Sequence, residues 1–156
     1  MTLYRTDSLK KDVDWPEIEN TIELNYKGDI SKQIILYAQL QYYQWLKDWS
    51  SFNDCLLNHT SNGNETDPDF INTYAWNFAT YCHDKKYLND AAKWAAILIK
   101  DEKHPYYFKT YSRLFYKAGE KDLAIKYMEK CASLLNTTNK PINETIEKMR
   151  KGEKIE

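Results

Sequence analysis

Phe108-Lys109-Thr110-Tyr111-Ser112-Arg113-Leu114-Phe115 puts a large ring directly before a small residue, with apolar side chains three before that ring and four after it. The same frame occurs 37 residues earlier, in Ile71-Asn72-Thr73-Tyr74-Ala75-Trp76-Asn77-Phe78. It occurs again 37 before that, in Ile34-Ile35-Leu36-Tyr37-Ala38-Gln39-Leu40-Gln41, with the polar Gln41 in the last place. A period of this length marks stacked helical hairpins, each of which buries its apolar face only against a neighbour. The fold class expected is all-α: a right-handed array of about seven to eight antiparallel helices in a single repeat domain over 1–156. Repeats fall near 30–60, 67–101 and 104–135, and a capping helix over 141–151.

Local signals extend the reading outward. Asp14-Trp15-Pro16-Glu17 is a helix start, with Asp14 as cap, and Gly28 ends that segment. A further short helix is expected over 8–12. Over 31–46, Ile34, Ala38, Tyr42 and Trp45 form one stripe, widened by Ile35 and Leu46. Lys47-Asp48 is a tight connection, followed by Trp49, Phe52, Leu56 and Leu57. Residues 58–67 hold no apolar side chain and read as a surface loop. Pro68 opens a helix that buries Ile71, Tyr74, Ala75, Phe78, Ala79 and Cys82. The next helix carries two stripes, Ala91, Trp94, Ala95 and Leu98 beside Ala92, Ala96 and Ile99, so it is sandwiched between layers. Pro105 starts a helix with Tyr107, Phe108, Tyr111, Leu114 and Phe115 inward, and Gly119 turns the chain. Leu123, Ala124, Tyr127, Met128, Cys131, Leu134 and Leu135 line the following helix. A polar joint over 137–140 leads to a last helix with Ile142, Ile146 and Met149 on one edge.

Composition narrows the function. Thirteen Tyr and five Trp in 156 residues suit a helical array held by large rings. A net charge of −1 gives no general attraction to nucleic acid or to an anionic membrane. No apolar run approaches the ~20 residues of a membrane span, and the charged segment 1–14 has no signal-peptide core. Cys55, Cys82 and Cys131 lack metal or redox spacing and read as buried small side chains. The N-x-S/T sequons at Asn58, Asn64, Asn136 and Asn143 read as coincidence in an Asn-rich chain. His59, His83 and His104 fall in or beside expected loops. No glycine-rich phosphate loop, G-x-S-x-G or H-E-x-x-H is present. Cys82 and His83 are adjacent and therefore point about 100° apart on a helix. No catalytic residue, metal site or cofactor is expected.

The unit over 105–135 resembles the tetratricopeptide repeat: Tyr111-Ser112 supplies large then small, Gly119 the turn, and Ala124 the close approach of the second helix. Cys131 replaces the usual second small residue, and the trailing proline is absent. A narrower resemblance runs from about residue 9 to 151. Gln41-Tyr42-Tyr43, Lys47-Asp48-Trp49, the stretch from Asn72 to Phe78, and Ala91-Ala92-Lys93-Trp94-Ala95 are similar to the helical tail that follows the thioredoxin-like domain in Bacteroidetes proteins. That resemblance implies a cell-envelope origin and an accessory structural role beside a catalytic domain not contained in this chain. It carries over no catalytic residue.

The tetratricopeptide resemblance implies a concave groove lined by the first helix of each hairpin. Transferred by position, the groove takes Gln39 and Tyr42, then Asn72 and Trp76, then Lys109, Arg113, Tyr116 and Lys117, with Tyr106 at its edge. Lys109, Arg113 and Lys117 form one basic stripe at i, i+4 and i+8, suited to a protein or peptide partner with an acidic segment. A solvated charge row is the plainer reading of that stripe. Trp76 lies off the buried stripe, either filling a gap between repeats or serving as an interface anchor.

Overall fold

Helices account for every regular element except one 3-10 segment among the residues described in this computed structural model, which are 13–61, 67–100, 103–135 and 140–155. They are α1 (Trp15–Asn25), α2 (Asp29–Leu46), α3 (Trp49–Ser61), α4 (Pro68–Tyr81), α5 (Lys85–Ala95), α6 (Pro105–Ala118), α7 (Lys121–Leu134) and α8 (Lys140–Lys151). The protein is all-α, as the 37-residue frame predicts. The helix expected over 8–12 lies outside the described residues, as do 62–66 of the expected loop and most of the joint over 137–140.

The cap predicted at Asp14 forms, and Asp67 caps α4 in the same way. Asp14 accepts from the Glu17 amide at 3.1 Å, and Asp67 accepts from the Asp69 amide at 2.9 Å. Lys47 ends α2 with φ 57, and Asp48 then accepts from the amide and hydroxyl of Ser51. Gly119 takes φ 99 after α6: its amide reaches the Tyr116 carbonyl, and the Glu120 amide reaches that of Phe115. Only glycine adopts that backbone without strain, and a Cβ there would also meet the Lys85 side chain at 3.4 Å.

Pairing follows the hairpins α2–α3, α4–α5 and α6–α7. Between hairpins, α3 packs on α5, α4 on α6, and α5 on α6; α8 closes against α7. One apolar cluster runs from Leu36 and Leu40 through Phe52, Tyr74, Phe78 and Trp94 to Tyr111 and Leu114. A second joins Phe108, Ala124, Met128 and Cys131 to Ile142, Ile146 and Met149. Helix α6 feeds both, which explains its two apolar sides.

Polar groups lock the layers. Trp94 Nε1 donates to Asn53 Oδ1 at 2.8 Å, and Asn53 Nδ2 donates to the Tyr87 carbonyl at 3.0 Å, tying α3 to α5. Tyr111 donates to the Ala92 carbonyl at 3.2 Å, and Ser112 to the Ala124 carbonyl at 2.6 Å. Ser112 thus holds α6 against α7 at the point where the frame calls for a small residue.

Several expectations are corrected. Helix α3 continues to Ser61, so 58–61 is helical and His59 sits on a helix. Helix α5 tightens into the 3-10 segment at Ala96–Lys100 and does not run on as α-helix through Leu98. Apart from these corrections, no residue of α1 is buried. The predicted stripe of α2 is wrong. Leu36 and Leu40 are its buried apolar residues, whereas Tyr37 and Trp45 are each 56% exposed. The frame residues of α4 are buried and those of α6 largely so, but those of α2 are not. The cause lies in the neighbours: rings of α3 meet Tyr74 and Phe78 of α4, and α5 and α7 together enclose the frame of α6, whereas α1 packs on a different side of α2.

Candidate partner-binding face

Trp76 is half-buried on α4 and faces α6. The Arg113 guanidinium lies 4.5 Å from the centre of its ring, and Lys109 Nζ lies 5.2 Å from it. Both distances fall within cation–π range. Two cations therefore share one indole, spaced one helical turn apart on α6. Arg113 is only 7% exposed, so its stem and planar head complete the packing between α4 and α6. Lys109 keeps more of its side chain at the surface.

The pair of helices is clamped on either side of this stack. Tyr107 donates to Asp69 Oδ1 at 2.8 Å near the helix starts. Lys117 Nζ reaches the Thr80 carbonyl at 3.4 Å near the helix ends, where α4 carries partial negative charge. Burial pulls the Lys117 pKa down, reinforced by the charges of Arg113 and Lys154 and opposed by Cys82.

The other predicted residues are placed as follows. Asn72, one turn before Trp76, is half-buried, and its Oδ1 accepts no hydrogen bond among the described residues. Tyr106 is exposed at the start of α6. Tyr116 donates to the Glu153 carbonyl at 2.6 Å. That carbonyl belongs to a segment that reverses after α8: Gly152 has φ 74, the Glu153 amide reaches the Lys148 carbonyl, and Ile155 is buried in the second cluster. Gln39 donates to Glu19 at 2.8 Å and accepts from Cys55, and Tyr42 meets Trp15 edge-on with ring centres 5.5 Å apart. So α1 covers the α2 part of the predicted groove, and the segment after Gly152 crosses its far end at Tyr116. The structure brings together Trp76, Lys109 and Arg113, with Asn72 and Lys117 beside them on α4 and α6. Gln39 and Tyr42 belong with α1.

Two contributors were missed from sequence. Asn53 gave no signal beyond a polar residue between Phe52 and Leu56, and Ile155 is a lone aliphatic among charges. Cys82 is buried and its thiol is pushed up chiefly by burial, while His83 beside it is exposed. A cleft of about 740 Å³ runs along α8, lined by Lys140, Glu144, Lys148 and Glu153 among others; its open, charged walls make it a solvated surface. Among the described residues, no group of three His, Cys, Asp or Glu side chains is placed to hold a metal ion. No helix described is long and apolar enough to cross a membrane.

No family model, curated protein or solved structure matches the chain.

Proposed function

We propose that this chain is a non-catalytic, tetratricopeptide-like helical repeat domain that binds a protein or peptide partner, with an acidic segment of the partner docking on α4 and α6. The observation that carries the reading is the stack of Lys109 and Arg113 on Trp76. It fixes two positive charges one turn apart on α6, over an indole carried by α4, the first helix of the adjacent hairpin. Asn72 adds an amide on the same side, and Tyr106 an exposed ring at the edge. Arg113 is largely spent on packing, so Lys109 is the cation that meets the ligand. A carboxylate there gains a charge-assisted hydrogen bond from an ammonium that the indole already orients.

The test is titration of the full chain with a short glutamate-rich peptide, followed by Trp fluorescence. Lys109→Glu should weaken binding by about tenfold or more, and raising salt should weaken the native protein's binding by screening. Equal affinity for Lys109→Glu and the native chain would refute the reading. So would equal affinity for a lysine-rich control peptide.

A further inference from the structure

Six residues of α2 form a stripe confined to about 100° of the helix surface: Ile30, Ile34, Tyr37, Ala38, Gln41 and Trp45. Ile30 is 61% exposed and Tyr37 and Trp45 are as open as stated above, an unusual outlay of large apolar side chains to water. Four of the six are the frame positions whose counterparts on α4 and α6 are buried or nearly so by neighbouring helices. The stripe carries no charge. Gln41 donates to the Tyr74 hydroxyl at 3.1 Å; Ile34 and Ala38 are half-buried, and Ile30, Tyr37 and Trp45 are the exposed apolar members.

We propose that this stripe is a self-association surface, on which α2 of a second copy of this chain packs antiparallel about a two-fold axis. Two observations select that occupant. The stripe reads alike in both directions about its midpoint between Tyr37 and Ala38. An antiparallel copy sets Ile30 level with Trp45, Ile34 level with Gln41, and the Tyr37 ring level with the small Ala38. A two-fold contact uses one patch on both partners, so such self-matching is what it requires. The ends of the array also differ. Helix α8 buries Ile142, Ile146 and Met149 and turns Lys140, Glu144, Lys148 and Lys151 outward, a polar cap. Among the described residues, the α2 stripe has no such cap. Joining two uncapped ends gives a closed pair with a polar cap at each outer end, whereas head-to-tail stacking would set the apolar stripe against α8's charges. The exposed parts of Ile30, Tyr37 and Trp45 amount to roughly 350 Å² per copy, under half of the ~800 Å² of a standard interface, so the pair is a weak dimer. The surface is separate from the α4–α6 face and does not depend on the reading given to it.

Sedimentation equilibrium of the full chain from about 5 µM to about 500 µM brackets an interface of this size. The expected result is a reversible rise from monomer mass to twice that mass. Tyr37→Asp should hold the protein at monomer mass throughout with an unchanged circular dichroism melt, since Tyr37 is outside the core. Ala38→Cys, placed at the axis, should form an intermolecular disulfide under mild oxidation, whereas Lys148→Cys on the cap should not. A monomer at every concentration overturns the proposal and hands the stripe to a different chain. A dimer that survives Tyr37→Asp, or assembly beyond two copies, overturns it as well.

Discussion

Replacing Asn53 by alanine tests the joint on which the stacking of the first two hairpins rests. The amide accepts from Trp94 Nε1 and donates to the Tyr87 carbonyl, and Trp94 is 1% exposed. Two hydrogen bonds are lost at about 1 kcal/mol each, and a buried indole N–H left without a partner adds roughly another 1 kcal/mol. The expected loss is therefore about 3 kcal/mol. With an unfolding entropy near 2.1 cal/mol/K per residue, a chain of this size loses about 9 °C of Tm. Urea unfolding followed by far-ultraviolet circular dichroism gives the free energy without relying on Trp94 fluorescence. Asn53→Leu combined with Trp94→Phe removes both polar partners. That pair should recover at least about 1 kcal/mol relative to the sum of the single changes. A loss below about 1 kcal/mol for Asn53→Ala, or strict additivity in the pair, would refute the claim that this hydrogen bond ties α3 to α5.

Gly119→Ala should cost about 1–2 kcal/mol, because φ 99 is strained for any side chain, and a thermal melt reads it. Arg113→Ala should lower stability by about 2 kcal/mol through lost packing over Trp76, whereas Tyr106→Ala at the exposed edge should stay within about 0.5 kcal/mol. Alkaline pH should destabilise the protein in two steps. Burial, then the Asp54, Glu19 and Asp48 charges, pushes the Cys55 thiol from 9.0 to about 11, and burial, then Tyr127, pushes Tyr111 from 10.0 to about 12. Both groups are acids with raised folded-state pKa, so their contribution is whole below the unfolded value and lost as pH climbs toward the folded one. Stability should fall from pH 9 to about 11 and again from pH 10 to about 12, and Tyr111→Phe should flatten the upper step, measured by urea midpoints.

Helices α4 and α6 were legible in the sequence because their stripes have neighbours on both sides. The 3.6-residue period then coincides with burial, and the large-then-small pair marks where two backbones close in. The same letters in α2 misled. Tyr37 and Ala38 occupy the frame as Tyr74 and Ala75 do, but burial is a property of what lies opposite, and among the described residues no helix buries them: Tyr37 is exposed and Ala38 half-buried. The basic row of α6 was visible as spacing. Its division of labour was not: i, i+4 spacing places Lys109 and Arg113 on one face, but it does not say that an indole from another helix lies beneath both. Arg113 is buried because a planar guanidinium over a ring, carried on an apolar stem, satisfies a site that an ammonium would fill poorly. Asn53 escaped notice because a buried amide is recognised only through its partners, and these are 34 and 41 residues away.

The geometry of the α4–α6 face bears on how it would bind. Tyr107–Asp69 fixes the two helices near their starts and Lys117–Thr80 near their ends, with Trp76 stacked between. A platform held at both ends has little freedom left to lose when a ligand arrives, so weak polar contacts go further there than on a mobile surface. The other stretches of the predicted groove are occupied from within. Helix α1 lies over Gln39 and Tyr42, and the segment after Gly152 lies against Tyr116. Those two coverings confine the open part to Asn72, Trp76, Tyr106 and Lys109. That leaves room for a short acidic segment rather than a long peptide running the length of the array. Affinity there should depend on one or two carboxylates placed at Lys109, and lengthening the peptide beyond them should add little.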